Sequence, residues 1–255
     1  MSLESQIAAL VDSTNQLTQT VASKMDAINT TVNAKVAELD AFKAGLLSQL
    51  PMMALNYNHD FLDVSGTAPQ QLPVGLAVSA DGAFWNRFSA ELIPVNTGAD
   101  PATRHDEAKA LLDAMGIGRG TQHFTSSFNI LKLTRKDAVV ISSLVFYIPA
   151  RHVKSGNGAS FVAYAKTVGS STWDYLPSTA GQWKQFATTW PAGTNDGRGV
   201  GSYLQLDFKV QNSSVGDVLY LALPTVVLGS WPEGRKLGNI VNIVNEVKRN
   251  FPSIA

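Results

Sequence analysis

The side chains best suited to chemistry are scattered along the chain, and their spacing narrows what they can do. Four histidines, His59, His105, His123 and His152, show no i,i+4 metal spacing, and there is no cysteine. A Cys-type zinc site, an iron–sulfur cluster, a disulfide framework and a cysteine nucleophile are therefore excluded. Asn58-His59-Asp60 followed by Ser65-Gly66 brings Ser, His and Asp close in sequence. A serine triad needs these groups arranged in space beside an oxyanion hole, and no nucleophile-elbow pattern accompanies them. A glycosidase needs two carboxylates flanking a cleft. Asp106, Glu107 and Asp113 instead share one short helical pattern, where charge reads as a solvated face. Gly116-Ile117-Gly118-Arg119-Gly120 is glycine-rich, but no βαβ unit precedes it and its spacing is not Gly-x-Gly-x-x-Gly, so it is no nucleotide loop. No metal or cofactor is expected, save that a structural calcium would find ligands between strand ends at Asp60, Asp63 or Asp217.

Binding chemistry has better material. Loops carry function, and Ser170-Ser171-Thr172-Trp173-Asp174-Tyr175-Leu176 sits between two strand patterns. Trp173 and Tyr175 with Asp174 form either a sugar platform or a cover for the end of the β domain or for a subunit seam. Asn195-Asp196-Gly197-Arg198-Gly199 is a turn by composition; its Arg198 and Asp196 either line a sugar pocket or are simply solvated. Trp183 reads as core, and Trp85 with Asn86 and Arg87 stays open between core and ligand contact. The candidate glycan-binding residues are thus Trp173, Asp174, Tyr175 and Arg198.

Two kinds of element must position these groups. Residues 1–50 hold no Pro and a single Gly, Gly45, whereas all 11 Pro, the other 19 Gly and all five Trp follow. Pro51 sits on that boundary. Upstream, Leu3, Ile7, Leu10, Thr14, Leu17 and Val21 step by four and three, a heptad seam with a polar Thr14 in it. Leu17, Val21, Met25, Ile28, Val32, Val36 and Leu39 then follow an 11-residue repeat, marked by Leu17, Ile28, Leu39 and Leu50. A helix of that length either lies on its own β domain or joins copies of itself. Its ~70 Å span outreaches a domain of ~200 residues, which favours a homo-oligomeric coiled coil. Mixed β-branched and Leu seam positions favour three strands.

Downstream, short apolar runs between Gly/Asn/Ser/Thr clusters predict strands. Tyr203–Gln211 alternates cleanly, with Leu204, Leu206, Phe208 and Val210 on one face. Strands are also expected at 83–88, 92–95, 124–133, 139–148, 159–168, 183–190 and 218–228. A helix is expected over Pro101–Met115, with an acidic start and a Gly stop. Leu237, Ile240, Val244, Val247 and Phe251 predict a C-terminal helix of about 14 residues, too short to stand alone. The expected fold is mainly β: an N-terminal α-helical coiled coil (1–50), an antiparallel, jelly-roll-like β-sandwich (51–231) and a short C-terminal helix (232–255).

Charge and hydropathy remove further classes. Lys plus Arg and Asp plus Glu are 20 each, so no basic excess invites nucleic acid. No apolar run approaches the ~18 residues of a membrane span, so no membrane insertion is expected. Met1-Ser2-Leu3-Glu4 lacks the basic and apolar regions of a secretory signal; a protein ending outside a cell would leave by a route such as host lysis.

Gly181-Gln182-Trp183-Lys184-Gln185-Phe186 resembles the Gly-x-Trp-x-x-Phe strand of carbohydrate-binding-module sandwiches. Val215-Gly216-Asp217-Val218-Leu219-Tyr220-Leu221-Ala222-Leu223-Pro224-Thr225-Val226-Val227-Leu228-Gly229 resembles the closing strand of such modules as they occur in tailed-phage fibres. The resemblance covers roughly residues 138–230; residues 54–135 match nothing nameable. It implies a non-enzymatic virion appendage, a homotrimeric tail fibre assembled in the host cytoplasm. Its N-terminal segment would attach to other tail or baseplate proteins, and its β domain would meet a host-surface glycan. The rival readings are a structural fibre, collar or connector without sugar affinity, and a hydrolase or esterase acting on surface polysaccharide.

Overall fold

A computed structural model describes residues 2–49, 53–78, 84–137, 145–150, 159–173, 176, 178–190, 204–238, 242, 245 and 249. The chain divides into two compact units, Met1–Pro51 and Met52–Ala255.

The first unit is one helix, α1 (Leu3–Gln49), 47 residues without a break. Ser2 starts it, its hydroxyl accepting from the Ser5 N–H at 3.3 Å, the usual work of an N-cap serine. Polar residues inside the helix cost little because Thr14, Thr18, Thr20, Thr30 and Thr31 donate their hydroxyls to carbonyls four residues back. The seam residues Leu17, Val21, Met25, Ile28, Val32, Val36 and Leu39 lie along it, each 49–66% exposed.

The second unit is mostly antiparallel β structure. Its elements are β1 (Val64–Ser65), β2 (Leu72–Pro73), β3 (Ala77–Val78), α2 (Phe84–Arg87), β4 (Phe88–Val95), α3 (Asp106–Met115), β5 (Phe128–Arg135), β6 (Val145–Ala150), β7 (Ala159–Val168), β8 (Thr172–Trp173), β9 (Lys184–Trp190), β10 (Leu204–Asn212) and β11 (Val218–Leu228). Five strands form one sheet in the order β4-β5-β11-β7-β9, four form another in the order β3-β6-β10-β8, and β1 pairs with β2.

Both faces of the five-stranded sheet carry buried residues, so its strands β7 and β11 read as near-continuous apolar runs. One face, with Phe88, Leu131, Leu133, Phe161, Leu219 and Leu221, shares a core with Trp173 of β8 and Val210 of β10. The opposite face, with Ile130, Val162, Tyr164, Tyr220 and Ala222, packs on Ala108, Leu111 and Leu112 of α3 and on Leu237.

Strand β11 changes parity halfway. Its pairing with β7 shifts between Ala222 and Thr225, and Leu223 takes φ 51. An extra residue at a bulge moves every later side chain to the other face. Hence Leu219 and Leu221 face one core, and after the bulge Val226 faces that same core. Asn56 braces the bulge, donating to Pro224 O and accepting from the Val226 N–H, both at 2.8 Å.

Two local expectations are revised. The helix expected at 101–115 is a 3-10 turn, Pro101–Thr103, then α3. Arg104 is extended between them, and His105 caps α3 through Nδ1 to the Glu107 N–H at 3.0 Å. The strand expected from residue 83 begins at Phe88, after the single turn α2. Residues 139–144 of another expected strand lie outside the described residues, as do Ile240, Val244, Val247 and Phe251 of the expected C-terminal helix.

Candidate functional site

Of the sequence-chosen platform the structure describes Trp173, and it is buried. Trp173 is 6% exposed, its ring centroid 5.8 Å from that of Phe88 and its Nε1–H donated to Ser171 Oγ at 3.3 Å. Two-residue β8 pairs with β10 and turns the indole into the core. Asp174, Tyr175 and Arg198 lie outside the described residues. Trp183 is buried as core, its Nε1–H donated to Glu107 at 3.0 Å. Glu107 also accepts from Lys166 at 2.7 and 2.9 Å, and Asp113 accepts from Arg119. Those carboxylates hold α3 to the sheet and its own following loop; they do not flank a cleft.

The larger concavity lies elsewhere, in the second unit. A cavity of about 540 Å³ is lined on one side by His59, Asp60, Asn242, Asn245 and Arg249, and on the other by Met115, Ile117, Phe124, Phe128 and Leu223. Thr125 and Ser126 lie at its edge.

The polar wall is a closed hydrogen-bond network. Asn245 Oδ1 accepts from the Asn58 N–H at 2.6 Å, and Asn242 Oδ1 accepts from the Asn245 N–H at 3.0 Å. Backbone donors thus fix both amide orientations. The amide nitrogens must then face His59 Nδ1, at 2.7 Å from Asn242 and 3.3 Å from Asn245. Nδ1 can only accept there, so the imidazole is neutral with its proton on Nε2. Burial, above all, holds His59 below its ordinary 6.5, against the attraction of Asp60.

Arg249 closes the network. Its Nη1 and Nη2 each donate to Asp60 at 2.8 Å, and its Nε donates to Asp63 at 2.9 Å. Asp63 also accepts from the Tyr57 hydroxyl at 2.6 Å. Partial burial and that bond push the Tyr57 phenol up to about 12. Burial is the largest single influence on the Asp60 carboxyl and would raise it, but the hydrogen bonds and charge of Arg249, with smaller help from His59 and the Leu62 N–H, together hold the group below its ordinary 3.8. A guanidinium thus bridges Asp60 and Asp63, two of the three carboxylates named above as calcium ligands. Asp217, the third calcium candidate, accepts from Ser170 N–H, Ser170 Oγ and the Ser214 N–H at 2.8–3.1 Å. Among the described residues, no three His, Asp or Glu converge as a metal site.

The same geometry excludes a serine triad at Asn58-His59-Asp60. That mechanism needs Nδ1–H donated to a carboxylate. Here Nδ1 accepts from amides, and Asp60 is held by Arg249.

The apolar wall is equally fixed. Thr97 Oγ1 accepts from the Phe124 N–H at 2.9 Å and donates to the Phe124 carbonyl at 2.7 Å. The Arg104 guanidinium stacks over the Phe124 ring, 5.3 Å from its centroid. Arg104 itself donates to the carbonyls of Thr121, Gln122 and Ala99 at 2.7–3.1 Å.

Comparison with protein-family models and with curated proteins finds no match. Among solved structures, the chain is similar to the bacteriophage CBA120 tailspike protein 4 enzymatically active domain, at 10% identity and a TM-score of 0.32. The likeness covers 61% of this chain and 20% of that one, so the chain spans about a fifth of that structure's length.

Proposed function

We propose that this chain is the protomer of a homotrimeric tail-fibre-type virion protein, with α1 as its assembly stalk and the β unit as a module that recognises a host-surface glycan. The observation that carries the reading is the exposed apolar seam of α1, from Leu17 to Leu39. Burying a large apolar side chain contributes about 1.5–3 kcal/mol. Half of the lower figure at each of the seven seam positions gives roughly 5 kcal/mol per helix once the seam is covered. An isolated helix gains nothing from such a seam, whereas a left-to-straight supercoil of three copies buries it along its length. The two β sheets sharing one apolar core support a jelly-roll-like sandwich. The likeness of residues 138–230 to carbohydrate-binding modules supports the choice of a glycan, and the absence of a basic excess argues against nucleic acid. Attachment to other tail or baseplate proteins falls to the N-terminal segment.

Light scattering on the full chain tests the reading. Three chains of 27.3 kDa give about 82 kDa. The double variant Val21→Asp, Ile28→Asp is expected to run as a monomer with the β unit still folded. A wild-type monomer at micromolar concentration would remove the stalk from the proposal.

A further inference from the structure

The cavity between His59 and Phe124 has its polar groups sorted by availability. On the His59 wall nearly every group is committed behind the surface. Nδ1 of His59 is held by two amides, and Arg249 is held by Asp60 and Asp63. What remains toward the cavity is His59 Nε2–H, which makes no hydrogen bond among the described residues. The hydroxyls of Thr125 and Ser126 at the edge make none there either. The opposite wall offers the Phe124 ring, clamped at its backbone by Thr97 and on its face by Arg104.

A site built this way suits a ligand with one apolar face and an edge of hydroxyls. Its volume of about 540 Å³ falls within the usual range for small-molecule pockets. Hydrogen bonds tie His59, Arg249 and Phe124 in place, which lowers the ordering cost of binding. Charge selects further. Asp60 and Asp63 carry two negative charges against the single positive charge of Arg249, and His59 is neutral. The described groups of the polar wall therefore disfavour anions, and no cation among them is left free to neutralise a ligand carboxylate.

We infer that this cavity binds an uncharged pyranoside, its ring lying against Phe124 and its hydroxyls meeting His59 Nε2–H, Thr125 and Ser126. The inference rests on the glycan-recognition reading and places that site away from Trp173, Tyr175 and Arg198. It holds whether the sugar is a free glycoside or the end of a surface polysaccharide; binding of short methyl glycosides distinguishes the first from the second.

The test is titration of the full-length protein with methyl glucoside, galactoside, mannoside and N-acetylglucosaminide, their neutral trisaccharides and glucuronate, read by calorimetry and by ligand-detected NMR. At least one neutral sugar is expected to bind, and glucuronate at least tenfold more weakly. Phe124→Ala is expected to weaken binding at least tenfold. Because that change can disturb the core, Ser126→Trp is the second variant: it lies at an exposed position and fills the mouth of the cavity without touching the core. Loss of binding in Ser126→Trp with an unchanged melting curve supports the site. Neutral sugars bound equally by wild type and both variants would overturn the site and leave glycan recognition standing. Tighter binding of glucuronate than of every neutral sugar would overturn the charge argument and the proposal with it. No binding of any sugar, beside an intact trimer, would overturn both the site and glycan recognition while leaving the stalk untouched.

Discussion

Replacing Arg249 by methionine isolates the bond that ties this residue to Asp60 and Asp63. The variant keeps an apolar stem of similar reach and removes the guanidinium. It deletes two bonds to Asp60 at 2.8 Å and one to Asp63 at 2.9 Å. Removing one partner of a fully buried pair costs about 3–5 kcal/mol, and an exposed pair contributes about 0–1 kcal/mol. The Arg249 side chain is 30% exposed and that of Asp60 14%, so the expected loss lies between, at about 2–3 kcal/mol. For a unit of this size, 1 kcal/mol moves the melting temperature by roughly 2–4 °C, giving a drop of about 5–10 °C. All five tryptophans follow residue 51, so tryptophan fluorescence follows the β unit alone. The pH dependence has a definite sign. The Asp60 carboxyl is held below 3.8 in the folded protein, so its stabilisation is complete above that ordinary value and is lost as pH falls through the lower folded one. The gap between wild type and variant should close in that acidic window. In an Asp60→Asn background, Arg249→Met should cost less than half as much. A melting shift below about 1 °C at neutral pH, or full additivity with Asp60→Asn, would refute the reasoning.

Two further outcomes are expected. Gly169→Ala should lower the denaturant midpoint of the β unit by the equivalent of about 2–4 kcal/mol, because Gly169 has φ +95 and an added Cβ would overlap the Asp217 carboxylate, itself pinned by three hydrogen bonds. Arg104→Met should cost about 3 kcal/mol by leaving the carbonyls of Thr121, Gln122 and Ala99 without donors, and hydrogen exchange should rise over residues 96–124; unchanged exchange there would count against Arg104 as the staple of these loops.

Local features were legible in the sequence, and long-range ones were not. Helix α1 follows from periodicity and from the lack of Pro, and β7 and β11 follow from apolar runs bounded by turn residues, because each signal lies within its own segment. The bulge in β11 left no such trace beyond Pro224, since its brace, Asn56, is 168 residues away. Asn58-His59-Asp60 stood out for the wrong chemistry: its partners are Asn242, Asn245 and Arg249, which no local spacing links to it. Their own spacing, i, i+3 and i+7, is the one signal the sequence held, and it names no partner some 180 residues away. Trp173 stayed open between platform and cover because a two-residue strand is too short for alternation to reveal which way its side chain points; it is buried.

The order in which the chain is made gives the Asn245–Asn58 contact a further meaning. Within α1 each hydroxyl bond reaches three or four residues, so the helix can form as soon as it is synthesised. The β unit ties residues 56–63 to 242–249 by bonds spanning 183–191 positions. At roughly 5–20 residues per second, some 10–40 s separate the emergence of α1 from that of Arg249. Throughout that interval the helix is available while the β unit lacks Asn242, Asn245 and Arg249. Any partner for the α1 seam therefore meets a helix before it meets a finished module.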